Sequence, residues 1–133
     1  MKKYKILIVL ADFYEDVSSA LLENAKSKLP YIYVEPKNIK VIKVPGVFEI
    51  PVTISKNIKK YDAFIALGCV IKGETPHFDF ISSATTNAIM KLSVDSKKPI
   101  GNGIITCLNR NQAEDRINKA LGAVNAVISV LEQ

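Results

Sequence analysis

The only histidine of the chain, His77, stands in the stretch Leu67-Gly68-Cys69-Val70-Ile71-Lys72-Gly73-Glu74-Thr75-Pro76-His77-Phe78-Asp79-Phe80. The stretch reads as the end of a buried strand, a loop around Gly73 and the capped start of a helix. Thr75 is the expected N-cap and Pro76 the first helical residue. The first N–H groups of a helix lack intrahelical partners, so this junction attracts anions. Histidine is the side chain whose ordinary pKa lies near neutrality, suited to general acid–base work. An anion site beside a proton carrier is what an enzyme acting on a phosphorylated metabolite needs. The plainer alternatives are a locally bonded histidine and an ordinary capped loop.

Three other residues invite a chemical reading. Glu49 follows Val44-Pro45-Gly46-Val47-Phe48 at a helix start. It either complements the helix dipole or accepts hydrogen bonds from sugar hydroxyls. Phe13, directly after the first apolar run, either packs or stacks on a flat heterocycle. Arg116 is one of two arginines among many lysines, a choice that suggests a planar, bidentate oxyanion contact, with a surface ion pair to Glu114 or Asp115 as the default reading. Cys69 and Cys107 sit in apolar contexts without metal-ligand spacing, so buried free thiols are expected, with no disulfide and no metal.

The elements that must position these residues alternate between short apolar runs and helical patterns, as in a parallel α/β sheet. Ile6 to Leu10 is a continuous aliphatic run suited to a strand covered on both faces. Val17, Ala20, Leu21, Ala25 and Leu29 recur at helical spacing, closed by Pro30. Ile39 to Val44 interleaves lysines with apolar residues and belongs nearer a sheet edge. Pro45-Gly46 turns into a helix through Phe48, Ile50, Ile54 and Ile58, with Pro51 tolerable in its first turn. Ala63 to Val70 is the third strand. Phe78, Ile81, Ala84, Ala88, Ile89 and Leu92 form the apolar face of the third helix. Ile100 to Cys107 is the fourth strand, loosened by Gly101 and Gly103. Asn109 and Gln112 resemble a capping pair, opening a last helical segment through Ala113, Ile117, Leu121, Val124, Ile128 and Leu131 with a bend near Gly122. The expected architecture is a flavodoxin-like three-layer sandwich, a four-stranded parallel sheet flanked by helices, in a single domain over residues 1–133. Ligands of such sheets bind beyond the carboxyl ends of the strands, and the candidate residues gather there.

The bulk composition agrees. With 133 residues, 48% hydrophobic and 23% charged, the chain suits an ordinary globular core and not disorder. Asp12 interrupts the first apolar run before any signal-peptide cleavage site, and no run reaches membrane-spanning length. A cytoplasmic protein is expected. The net charge of +5 comes from scattered lysines without arginine-rich stripes or interleaved aromatics, so no nucleic-acid partner is expected. The excess helps attract anionic substrates.

Three segments taken together, Val44-Pro45-Gly46-Val47-Phe48-Glu49-Ile50-Pro51, the stretch from Leu67 to Phe80, and Gln112-Ala113-Glu114-Asp115-Arg116, resemble 6,7-dimethyl-8-ribityllumazine synthases, and the resemblance spans nearly the whole chain. Those enzymes condense 5-amino-6-(D-ribitylamino)uracil with 3,4-dihydroxy-2-butanone 4-phosphate in riboflavin synthesis, without metal or organic cofactor. The resemblance implies that Phe13 stacks on the pyrimidine. Val47, Phe48 and Glu49 hold the ring and ribityl chain, and Cys69, Val70 and Ile71 line the same pocket. Glu74, Thr75 and Arg116 contact the phosphorylated ketone, and His77 moves protons. It further implies a homopentamer with sites between subunits, Asn102 and Arg116 approaching from the adjacent chain.

The chain departs from the family pattern at several positions. Asp12 and Tyr14 flank Phe13, Asn102 stands where many members place a phenylalanine, and few residues separate Arg116 from Lys119, a second phosphate contact by resemblance. Two other readings compete. One is a non-catalytic lumazine- or flavin-binding relative, which has no need of a phosphate clamp. The other is a receiver-like signalling domain, which lacks its acidic pair and phosphoacceptor aspartate.

Overall fold

A computed structural model describes residues 4–27, 29, 34–73 and 77–133. Strand β1 (Ile6–Ala11) is aliphatic throughout and every residue is buried, the pattern of a strand covered on both faces. Strand β2 (Ile39–Val44) pairs with one side of β1 and β3 (Ala63–Ile71) with the other. Strand β4 (Ile100–Cys107) lies outside β3, giving the all-parallel order β2-β1-β3-β4. Ile8 sits opposite both Val41 and Ile65, and Ala66 opposite Asn102. Strand β2 is an edge, and its Lys40 and Lys43 reach solvent.

The helices are α1 (Glu15–Lys26), α2 (Ile50–Asn57), α3 (His77–Ser96), α4 (Arg110–Asp115) and α5 (Lys119–Leu131). Odd and even residues of β1 face opposite layers. Ile8 and Leu10 share one core cluster with Val17 and Leu21 of α1 and Val124 and Ile128 of α5. Leu7 and Val9 pack with Ile50 and Ile54 of α2 and Ile89 of α3. Each fully buried aliphatic side chain contributes about 1.5–3 kcal/mol. The result is a three-layer α/β sandwich in the flavodoxin-like strand order. Among the described residues no helix is long and apolar enough to cross a membrane.

Several local expectations change. The second helix does not begin at Phe48: a 3-10 turn, Val47–Glu49, precedes α2, and Pro51 sits in the first turn of α2. The last helical segment runs uninterrupted through Gly122. Its break falls earlier, after Asp115, where Arg116 leaves the helix at φ −108 and ψ 7 while its guanidinium donates to the Thr106 carbonyl. Apolar periodicity continues across the break, so the pattern alone does not mark it. Asn109 does cap α4, accepting from the Gln112 N–H at 3.0 Å, and Gln112 accepts from the Leu108 N–H at 2.7 Å. In α3 only Thr85 and Ile89 are buried. Ala84, Phe80, Met90 and Val94 are exposed, because the sheet covers only a narrow stripe of this helix. The capping roles expected of Thr75, Pro76 and Pro30 lie outside the described residues.

Gly101 and Gly103 admit close neighbours to β4: Gly101 lets α5 approach, and Gly103 makes room for the Leu67 side chain of β3. A Cβ on Gly101 would lie 2.5 Å from the Ala123 carbonyl oxygen, and one on Gly103 2.5 Å from Leu67 Cδ2. The strand ends are tied as well. The Asp12 N–H donates to the Val44 carbonyl at 2.9 Å and the Lys72 N–H to the Cys107 carbonyl at 2.8 Å. Buried Ser18 of α1 donates its hydroxyl to the Ala11 carbonyl at 2.7 Å, which anchors the turn that carries Phe13.

Candidate active site

A cavity of about 260 Å³ opens at the carboxyl ends of β1, β2 and β3, lined by Phe13, Tyr14, Gly46, Val47, Cys69, Val70, Ile71, His77 and Ile81. Six of these residues, Phe13, Val47, Cys69, Val70, Ile71 and His77, are ones the sequence singles out. The topology explains the convergence. The chain leaves β1 for β2 on one side and returns to β3 on the other, so a crevice forms where the order reverses. Close packing then shapes it. A Cβ on Gly68 would come within 2.7 Å of Val47 Cγ1 and 2.9 Å of Ala11 Cβ. Glycine there is what lets the Val47 turn settle on the end of β3.

The lining is mostly apolar, and His77, the first described residue of α3, brings an imidazole to it. Phe13 is 73% exposed, so most of its ring is open to a flat partner. Its one ring contact among the described residues is with Tyr14, edge to face at 4.9 Å and 80°. Cys69 and Cys107 are free and buried. Burial, with Cys107 close by, pushes the Cys69 thiol up to about 12, so at neutral pH it presents a neutral S–H and no nucleophile.

Glu49 faces its own turn: its carboxylate accepts from the Gly46 N–H at 3.0 Å, and its carbonyl accepts from the Thr53 hydroxyl at 2.8 Å. An ionised carboxylate has about four acceptor positions, so capacity for ligand hydroxyls persists. Phe48 is not in the cavity. It is 61% exposed and lines a neighbouring apolar groove of about 290 Å³ between α2 and α3, with Pro51, Val52, Ala84, Thr85 and Ala88. The buried hydroxyls of Thr85 and Ser82 have no hydrogen-bond partner among the described residues.

Asn102, Arg116 and Lys119 are also outside the cavity of their own chain. They gather on the outer edge of β4. Asn102 accepts from the Ile104 N–H at 3.0 Å, Lys119 donates to the Ile104 carbonyl at 3.0 Å, and Arg116 donates to the Thr106 carbonyl. The ion pair expected of Arg116 with Glu114 or Asp115 does not form. Side chains thus occupy an edge that would otherwise offer bare backbone groups. Glu74 and Thr75 lie outside the described residues. Among the described residues no three histidine, cysteine, aspartate or glutamate side chains gather as a metal ion would need.

Sequence reasoning missed Tyr14, Gly46 and Ile81 as lining residues. It also missed Arg110, whose guanidinium lies 5.5 Å from the Tyr14 ring centre and pairs with Asp16. The one available signal was the rarity of arginine in this chain.

Comparison with known proteins places these residues in context. The family model described as 6,7-dimethyl-8-ribityllumazine synthase matches residues 3–133. The chain is 42% identical over 132 residues to a 6,7-dimethyl-8-ribityllumazine synthase of Polaromonas sp., covering 97% of this chain and 86% of that one. It is 43% identical over 127 residues to the enzyme of the same name from Agrobacterium fabrum, covering 90% and 84%. A third such enzyme, from Bartonella tribocorum, is 44% identical over 118 residues, covering 86% and 76%.

Proposed function

The chain belongs to the 6,7-dimethyl-8-ribityllumazine synthase family, and from that membership we propose that the cavity at the strand ends is where it performs the condensation. The substrates are 5-amino-6-(D-ribitylamino)uracil and 3,4-dihydroxy-2-butanone 4-phosphate; the products are 6,7-dimethyl-8-ribityllumazine, phosphate and water. The observation that carries the reading is the convergence of Phe13, Val47, Cys69, Val70 and Ile71 with His77 on one cavity.

The pyrimidine stacks on the open face of Phe13, a contact worth about 1–3 kcal/mol for a base on an aromatic ring. Val47, Cys69, Val70 and Ile71 enclose it, and the ribityl hydroxyls reach Glu49, with Phe48 at the rim. The substrate's own amine attacks the ketone and a first water leaves to give an imine, so the neutral Cys69 thiol is a wall and not a reagent. His77 takes and returns protons as carbon is deprotonated and phosphate departs. Glu74 and Thr75 hold the phosphorylated ketone. Ring closure by the second nitrogen expels water. Holding two reactants in register supplies much of the acceleration.

The same reading gives the site a second subunit. Arg116 and Asn102 lie on the outer edge of β4 and not on their own chain's cavity. They serve a neighbour in a homopentamer, with Arg116 clamping the phosphate through the N–H groups that the Thr106 carbonyl does not use. Phe80, Met90 and Val94 are the exposed apolar residues such a ring would cover. The enzyme works in the cytoplasm and needs no cofactor, nucleic acid or membrane. Purified chain incubated with both substrates should form lumazine, followed by its absorbance, well above the uncatalysed background. Lumazine binding without turnover would identify a non-catalytic relative instead.

A further inference from the structure

Arg110 opens α4 after β4, and Asp16 lies in the first turn of α1 after β1, yet the two side chains form an ion pair across 94 residues of sequence. The pair joins the start of α4 to the first turn of α1. Beneath it the Arg110 guanidinium lies over the Tyr14 ring at 5.5 Å, and the Tyr14 ring meets Phe13 edge to face at 4.9 Å. Tyr14 and Phe13 line the cavity; Arg110 and Asp16 do not.

We propose that Arg110, fixed by Asp16, is a positioning residue that holds Tyr14 and through it sets the ring of Phe13 for the pyrimidine. The inference rests on the function proposed above. Phe13 is 73% exposed, so packing alone leaves its rotamer weakly determined, and the edge of Tyr14 is what braces it. Tyr14 in turn needs support on its outer side. A guanidinium supplies it, being planar, always charged and able to stack on a ring while bonding a carboxylate with its remaining N–H groups. The hydrogen bond from the Arg110 guanidinium holds the Asp16 carboxyl below its ordinary range, so the brace is ionised at neutral pH. Because both partners are exposed, salt screens the pair.

The test is steady-state kinetics of the full chain with each substrate varied in turn. Arg110→Ala should raise KM for the ribitylaminouracil about 3- to 5-fold, with kcat and the ketone KM changed less than about twofold. Arg110→Lys keeps the charge and loses the planar stack, and should fall between the two. Asp16→Asn should move the same KM in the same direction, and Asp16→Asn with Arg110→Ala should be no worse than Arg110→Ala alone. Raising salt should raise the pyrimidine KM of the wild type and leave that of Arg110→Ala flat. An unchanged pyrimidine KM in Arg110→Ala, or equal rises for both substrates, would overturn the proposal. A kcat loss that merely tracks a lowered melting temperature would do the same. If the wild type neither turns over nor binds 6,7-dimethyl-8-ribityllumazine, the functional reading itself fails; an active wild type with an indifferent Arg110→Ala removes only the role of Arg110.

Discussion

Cys69 and His77 line the same cavity with opposite prospects. Burial holds Cys69 as a thiol, and iodoacetamide at pH 8 should leave it unmodified in the native protein while denatured chain reacts freely. Rapid native alkylation would show a thiolate that the site does not predict. Its pKa is raised on folding, from 9.0 to about 12. Its stabilising contribution is therefore complete below pH 9 and is lost as pH climbs toward 12. Denaturant midpoints measured up that range should fall, and fall less in Cys69→Ala. Arg116 is predicted to act on the phosphate alone. Arg116→Ala should raise the ketone KM at least tenfold and leave the pyrimidine KM within about twofold, a split appropriate to a lost charge-assisted contact. Equal effects on both would take Arg116 out of the site. At this scale the sequence was legible where position along a strand decides neighbourhood, as for Cys69, Val70 and Ile71 at the end of β3. It was silent on Arg116 bonding Thr106 and on Arg110 meeting Asp16, which are long-range choices of flexible side chains.

Elements were legible where their signal is local. Six successive buried aliphatics made β1, the lysines of β2 marked an edge, and Asn109 three residues before Gln112 marked a cap. The errors came from contacts between elements. Gly101 and Gly103 look like weak points in a strand, but each admits a neighbour too close for a Cβ. Gly101→Ala should cost about 1–3 kcal/mol by overpacking against Ala123, read from the denaturant midpoint; a neutral result would mean α5 can shift outward freely. The opposite change is available after α3. Lys97 has φ 60, the one positive φ of a non-glycine residue among those described. Lys97→Gly should raise stability by about 0.5–1 kcal/mol, since glycine adopts that conformation without steric cost. A loss of stability would mean that Lys97 makes a contact outweighing its backbone strain. The break between α4 and α5 is not legible in the apolar spacing, which runs through it, while Arg116 at the break bonds the Thr106 carbonyl of β4.

For the whole molecule, the single chain holds half of what the proposed chemistry needs. The cavity presents stacking surface and a proton carrier, while the arginine proposed for the phosphate sits on the far edge of β4. Exposed Phe80, Met90 and Val94 on α3 add apolar area for neighbours to cover. Native mass measurement should give about five times the 14.7 kDa chain, or a multiple of that ring, and a monomer would contradict the shared site. Sharing is tested most directly by complementation. His77→Ala and Arg116→Ala, assayed at a ketone concentration well below the raised KM of Arg116→Ala so that each is slow alone, are co-expressed in equal amounts so that rings assemble from both. Random mixing leaves about a quarter of the sites with an intact His77 and a neighbour's intact Arg116. The account predicts recovery of about a quarter of wild-type turnover. Activity no greater than the average of the two separate variants would contradict it, because both residues would then act within one chain.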